Sequence, residues 1–260
     1  GESAGHLLVF DDVTELVKAQ RDAAWGEVAR RLAHEIKNPL TPIQLSAERL
    51  RRKYLGKLPP SDAEVLDRAT HTIVQQVEAM KAMVNDFSDY AKPAKLQVEP
   101  VLIDTFLAEV AALYEGASQH VALDLDAADT LVEADPVRLR QVVHNLLKNG
   151  LEAAGPDGRV TIASRVGEQT GRRFVEIAVD DTGAGFDSDV IGQVFEPYVT
   201  TKVKGTGLGL AIVKRIVSEH GGTIRAENNP SGGGRVTLWL PVVNTVLAAL
   251  TTAQAGRPSN

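Results

Sequence analysis

Ile73, Val77, Met80, Val84, Phe87 and Ala91 recur at spacings of 4, 3, 4, 3 and 4. A heptad repeat of this kind puts its apolar groups on one stripe of an α-helix, and that stripe has to be covered by another helix. A partner lies just upstream. From Thr14 to about Tyr54 the pattern is again helical, with a weaker seam through Leu32, Ile36, Pro39, Ile43 and Leu50. "GKLPP" separates the two segments, and Ser61 with Glu64 three residues on is a capping-box signature for the second helix. Helices joined by so short a loop pack antiparallel. Leu40, Leu45, Val65 and Leu66 widen both seams beyond what one partner helix needs. The hairpin is therefore expected to dimerise into a four-helix bundle; the alternative is a monomeric hairpin docked on the rest of the chain.

The first helical stretch contains "AHEIKNPLTP", residues 33–42, with Pro39 and Pro42. Proline lacks the backbone donor and clashes with the carbonyl four residues back, at about 3 kcal/mol in a helix interior. The carbonyls so freed belong to Glu35 and Asn38, which flank His34 closely. The helical pattern is expected to be interrupted here, with a softened, bendable backbone beside these polar groups.

From about residue 96 the texture changes. Alternating runs, "HVALDLD", "RVTIASRV", "RRFVEIAVDD" and "GRVTLWLP", are separated by the helical stretches "DPVRLRQVVHNLLKNGLEAA" and "GLGLAIVKRIVSEHGG". That is an α+β layer fold, strands covered on one face by helices. The expected organisation is a short β-like remnant at 1–13, the hairpin at 14–95, the α/β domain at 96–243 and a tail at 244–260.

Composition excludes several functions. The 260 residues contain no cysteine, which rules out a disulfide scaffold and thiol catalysis. The net charge is −6 and basic residues are interleaved with acidic ones, which argues against a nucleic-acid surface. The six histidines are scattered, without a helical pair at metal-ligand spacing. No apolar run reaches the ~18 residues of a membrane span, and no signal peptide opens the chain. The expectation is a reducing-compartment piece of something longer that does not itself touch the membrane.

Three stretches of the second half carry chemistry. In "DPVRLRQVVHNLLKNGLEAA", Asp135 is a candidate N-cap and Pro136 a candidate first helical residue. Arg138, Asn145, Asn149 and Glu152 then fall near one face of an otherwise Leu/Val-rich helix. Amides on such a helix are costly unless something binds them; they either face solvent or hold a hard cation such as magnesium. In "VEIAVDDTGAGF" a strand ends at Asp180 and Asp181 and turns through Gly183 and Gly185. This is either an ordinary Asp/Gly turn or a carboxylate placed to accept from an exocyclic amine while glycine lets a ligand approach the backbone. In "KVKGTGLGLAIVKRIVSEHGG", Gly205, Gly207 and Gly209 lead into a helix, where bare backbone amides can meet phosphate. The spacing is neither a Walker A loop nor the G-x-G-x-x-G dinucleotide fingerprint.

Together these stretches, in this order, resemble the N, G1, F and G2 boxes of sensor histidine kinases: Asn145 to Asn149, Asp181-x-Gly183-x-Gly185, "FEPYVTTK" at 195–202 and "GTGLGL" at 205–210. "HEIKNPLTP" at 34–42 resembles their H box. The resemblance covers about residues 23 to 243. "AWGEVARRLAHEIKNPLTPIQLSAERLRRKY" is similar to the NtrY branch of nitrogen-regulation sensor kinases, and "DDVTELVKAQ" to the end of a PAS sensor domain, with Asp12, Val13 and Thr14 as its signature.

The resemblance implies a Bergerat-type α/β sandwich that binds ATP with Mg2+. Asp181 would take the adenine amine, and Asn149 with Asn145 would hold magnesium against the phosphates. Gly183 and Gly185 would let the nucleotide lie on the backbone. Gly205, Thr206, Gly207, Leu208 and Gly209 would meet the phosphates, under an ATP lid at 187–206 with Lys202 and Lys204 as candidate γ-phosphate contacts. His34 would be the phosphoacceptor, Glu35 its general base, and Asn38 would orient a water against a phosphorylated partner aspartate. The implied partners are a second copy of the chain and a response-regulator receiver domain of NtrX type. The implied setting is the cytoplasmic portion of a membrane-anchored sensor. Two positions depart from the family: Gly150 stands where alanine is common, and Gly234 where many members have a threonine that helps a water at the adenine. Two other readings remain: another ATPase of the same nucleotide fold, and a non-catalytic dimeric signalling module.

Overall fold

The computed structural model describes residues 14–91, 96–114, 120–169, 171–202 and 205–242. The chain forms two compact units, residues 1–93 and 94–260. The β-like run at 6–12, Asp12 and Val13 of the PAS-like signature, Lys204 and the tail from 243 lie outside the described residues.

The first unit is the expected hairpin, α1 (Thr14–Tyr54) packed on α2 (Pro60–Ala91). Cross-helix pairs set its antiparallel register. Arg51 Nη2 donates to Asp67 Oδ1 at 2.6 Å near the loop, and Lys81 Nζ donates to Gln44 Oε1 at 2.7 Å further along. Three details differ from expectation. α1 runs unbroken through Pro39 and Pro42. Glu35 and Asn38 are both exposed, so water can serve the carbonyls that the prolines leave without a helical donor. α2 starts at Pro60, an N1 proline, so Ser61 lies inside the helix rather than capping it, and Pro59 O accepts from Asp62 N–H and Ala63 N–H.

The third difference is the face used. Among the described side chains of α1, Ala29, Ala33, Leu40 and Ala47 are buried, whereas Leu32, Ile36, Ile43 and Leu50 of the expected seam are 41–47% exposed. On α2 the seam divides: Val77 and Ala91 are buried, while Ile73 and Met80 are 42% and 50% exposed. Small residues let the two helices approach closely, and the larger apolar groups are left on an outer stripe.

The second unit runs β1 (Glu99–Leu102), α3 (Ile103–Ala112), β2 (His120–Asp126), β3 (Leu131–Ala134), α4 (Pro136–Ala154), β4 (Arg159–Gln169), β5 (Arg172–Asp181), a 3₁₀ turn (Ile191–Gln193), α5 (Gly209–Glu219), β6 (Thr223–Asn228) and β7 (Gly234–Pro241). Five strands form one sheet in the order β2-β4-β5-β7-β6, parallel only between β2 and β4; β1 and β3 make a small antiparallel pair. α4 packs on β4 and β5, α5 on β6, and α3 on β2 and β4. Val160, Ile162, Val175, Ile177, Leu238 and Leu240 of the strands are fully buried, as are Leu139, Val143, Leu147 and Val213 of the helices. Sequence patterning located four strands and two helices of this unit. It passed over β1, β3, β6 and α3, which are short.

Candidate active site

α4 is seated by its first residue. Asp135 is its N-cap: Oδ1 accepts from the amides of Val137 and Arg138 at 3.0 and 3.1 Å, and Oδ2 accepts from Gln97 N–H at 3.0 Å. Burial pushes this carboxyl up, but the amides of Gln97, Arg138 and Val137 outweigh it and hold it below its ordinary value. The Asp135 amide donates to Nε2 of the buried His220, just past α5. Arg138 is drawn away from the expected polar face. Its Nη2 donates to Glu219 Oε2 at 2.8 Å, and Arg215 Nε donates to the other oxygen of Glu219. α4 and α5 are thus pinned together at one end, and the remaining polar residues of the face are free to serve the site.

Those residues converge on the start of α5. Asn145 Nδ2 donates to Gly209 O at 3.5 Å, and a Cβ on Gly209 would stand 3.6 Å from Asn149 Nδ2. Asn149 Oδ1 faces the other way and accepts from Lys202 Nζ at 3.3 Å; Glu152 Oε2 lies 2.5 Å from the same ammonium. Asn149 Oδ1 thus already meets a cation, and an amide oxygen suits the hard divalent ion that the resemblance implies.

Asp181 closes the other end. Its Oδ1 accepts from Gly183 N–H at 2.8 Å and Gly234 N–H at 3.2 Å, which fixes the carboxylate in place. Gly183 abuts the C-terminal turn of α4, where a Cβ would fall 2.3 Å from Ala153 O. Both departures from the family have local causes. A Cβ on Gly150 would meet Val160 Cγ2 at 3.1 Å and Asp181 Cβ at 3.6 Å, so glycine lets α4 lie close on β4 and β5. A Cβ on Gly234 would come 2.9 Å from both Asp181 Oδ2 and the Phe186 ring, so a threonine does not fit this packing unless those side chains shift.

Patterning missed two supports of this corner. Asp180, beside Asp181, is paired bidentately with Arg235 across the β5–β7 register, at 2.5 and 2.8 Å, and accepts from Asn229 Nδ2. Burial pushes its carboxyl up, but the hydrogen bonds from Arg235 and Asn229 prevail and hold it below the usual carboxylate range. Asn228 clamps Phe186: its Oδ1 accepts from the Phe186 amide at 2.6 Å and its Nδ2 donates to the Phe186 carbonyl at 2.8 Å. No spacing signal marks either, because both bring together residues more than forty apart.

The glycine-rich segment is held from beneath. Gly207 has φ of +67°, and its carbonyl accepts from Tyr198 N–H at 3.0 Å. Tyr198 is itself left-handed, at φ +66°. Thr206 Oγ1 accepts from Leu208 N–H at 3.3 Å. Leu208 is 1% exposed, which anchors the segment in the core. Lys214 of α5 pairs with Glu196 at 2.9 Å.

In the hairpin unit, His34, Glu35 and Asn38 are all exposed on α1, off the buried face of Ala29, Ala33, Leu40 and Ala47. Arg31 Nε donates to Glu35 Oε1 at 3.0 Å. Among the described residues no cluster of three or more histidines, cysteines or carboxylates could hold a metal by itself.

Residues 24–95 match the model of the His Kinase A (phospho-acceptor) domain, and residues 134–244 that of the histidine kinase-, DNA gyrase B- and HSP90-like ATPase. A solved histidine kinase, ThkA in complex with the response regulator TrrA, is 30% identical with a TM-score of 0.61, over 90% of this chain and 68% of that one. The chain belongs to the sensor histidine kinases. Of curated relatives, this kinase is 42% identical over 246 residues to the nitrogen regulation protein NtrY of Azorhizobium caulinodans, which covers 90% of the kinase and 31% of the relative. It is 34% identical to the sensor histidine kinase ZraS of Klebsiella oxytoca, over 86% of the kinase and 48% of the relative. The kinase therefore spans half or less of the length of these relatives. In it, Asn145, Asn149, Lys202 and the Gly205–Gly209 segment are drawn around the start of α5, and Asp181 with Gly183, Gly185 and Gly234 around the end of β5.

Proposed function

We propose that this chain autophosphorylates on His34 from ATP and passes the phosphoryl group to an aspartate of a response-regulator receiver domain. The observation that carries the reading is the approach of Asn145 and Asn149 to Gly209 at the start of α5, with the Asp181 carboxylate fixed by two amides, in a chain that also exposes His34, Glu35 and Asn38. The reaction needs positioning and charge neutralisation more than covalent help. A neutral imidazole nitrogen of His34 attacks the γ-phosphorus, the P–N bond forms as the bond to the ADP oxygen breaks, and Glu35 accepts the proton from the other ring nitrogen. Asp181 selects adenine, and the amides at the start of α5 with Lys202 cradle the phosphates. Asn149 and Asn145 would hold magnesium, which would supply charge neutralisation there. Asn38, one helical turn from His34, orients water for the reverse task of dephosphorylating the regulator.

The second partner is another copy of the chain. Leu32, Ile36, Ile43, Leu50, Ile73 and Met80 form an outer apolar stripe on the hairpin, which a four-helix bundle would cover. Relatives named NtrY suggest a regulator of NtrX type and a cytoplasmic place in a membrane-anchored sensor. Among the described residues no helix is long and apolar enough to cross a membrane.

Incubation with γ-labelled ATP and magnesium tests the reading. Acid-labile, base-stable label on the protein that disappears in His34→Ala is the expected result. Hydrolysis without labelled protein would make the chain an ATPase of the same fold, and absence of nucleotide binding a signalling module. Asn38→Ala should keep autophosphorylation and lose regulator dephosphorylation.

A further inference from the structure

Both backbone groups of Lys202 are hydrogen-bonded. Its amide donates to Thr200 Oγ1 at 3.1 Å, and its carbonyl accepts from Gly205 N–H at 3.1 Å. A Cβ on Gly205 would fall 2.4 Å from Thr200 Oγ1 and 3.0 Å from Lys202 Cβ, so Gly205 can lie this close to both only as glycine. The Lys202 ammonium lies against Asn149 Oδ1, the oxygen assigned to the metal, and against Glu152 Oε2 one turn further along α4. An ammonium and a divalent ion on one amide oxygen repel each other at close range.

We propose that Glu152 is a positioning residue that parks Lys202 on Asn149 until a metal–nucleotide complex arrives. Entry is then an exchange: the ammonium leaves Asn149 Oδ1 as the metal takes it, and Lys202 is released to the phosphates. This rests on the reading of the second unit as an ATP- and magnesium-binding domain. Both side chains are part-exposed, at 41% and 46%, so the parking contact is weak enough to be displaced and strong enough to measure.

The test is a binding cycle on the full chain, with the ATP analogue AMPPNP and magnesium titrated by calorimetry. Glu152→Gln should bind two- to fivefold more tightly than wild type, the span that an exposed ion pair supplies. The gain should shrink as salt rises from about 0.05 to 0.5 M, because screening weakens the same contact. In a Lys202→Gln background, adding Glu152→Gln should change nothing. Trypsin should cut the nucleotide-free Glu152→Gln chain after Lys202 faster than wild type. Unchanged or weaker binding by Glu152→Gln, an effect that persists in Lys202→Gln, or unchanged cleavage overturns the proposal. A wild-type chain that binds no nucleotide removes the ATP-domain reading as well; a wild-type chain that binds, without coupling between the two positions, removes this inference alone.

Discussion

Gly207→Ala isolates what the glycine-rich segment contributes to nucleotide binding. Gly207 sits at φ +67°, where a residue with a Cβ costs roughly 1–2 kcal/mol. The added Cβ would also stand 2.5 Å from the carbonyl carbon of Tyr198, 2.7 Å from its Cα and 2.8 Å from Val199 N. These are backbone atoms and cannot rotate away, so the Tyr198–Gly207 hydrogen bond is lost too, for about 1 kcal/mol. The sum, about 2–3 kcal/mol, falls on the binding-competent arrangement of the segment and should weaken AMPPNP binding by roughly 30- to 150-fold. Two other glycines separate the contributions. Gly232 has φ of +95° with nothing within 4 Å of its Cβ, so Gly232→Ala meets the backbone term alone. Gly192, in the 3₁₀ turn, has open space and no positive φ, and its alanine variant should stay within about 0.5 kcal/mol of wild type. Calorimetric titration with urea unfolding of each variant gives the order Gly192, Gly232, Gly207. Wild-type affinity in Gly207→Ala would refute the claim that this turn shapes the phosphate site.

Asn228→Ala removes both hydrogen bonds to Phe186; at about 1 kcal/mol each, adenine-nucleotide affinity should fall roughly tenfold or more, and Asn228→Asp should restore only the bond from the Phe186 amide. Asp180 has a depressed folded pKa, so the stability it contributes is present above the unfolded value of about 3.9 and is lost as pH falls through the lower folded value. Asp180→Asn should therefore destabilise the second unit at neutral pH and flatten its loss of stability below about pH 4, read by thermal unfolding against pH. Ile73→Asp on the outer stripe should shift the chain from dimer to monomer in light scattering while leaving helical circular dichroism intact; a variant still dimeric would place the interface elsewhere.

Much of the candidate site was legible in the chain itself because its chemistry is local. Asp135 followed by Pro136 specifies a helix start through the reach of one short side chain, and the structure places both as read. Asn145 and Asn149 share a face because helical periodicity leaves no other choice, and glycines before α5 expose amides wherever that helix begins. The same local rules assigned too much to Arg138, which shares the face by periodicity yet is claimed by Glu219 of α5.

What remained hidden depends on pairs distant in sequence. Which side of α1 meets α2 could not be read from hydropathy, because Ala29, Ala33 and Ala47 are weakly apolar yet small enough for close approach, while Leu32, Ile36 and Ile43 look like the core and lie outside it. Asp180 and Asp181 are adjacent and chemically identical; strand alternation and the β5–β7 register send one to Arg235 and leave the other beside the Gly183 and Gly234 amides. The parking of Lys202 on Asn149 and Glu152 likewise required a turn and a helix some fifty residues apart to close on each other. Sequence alone determined the residue types and the local geometry that chemistry needs. Tertiary structure decided which of two equivalent groups is free to act, because only packing determines what each one touches.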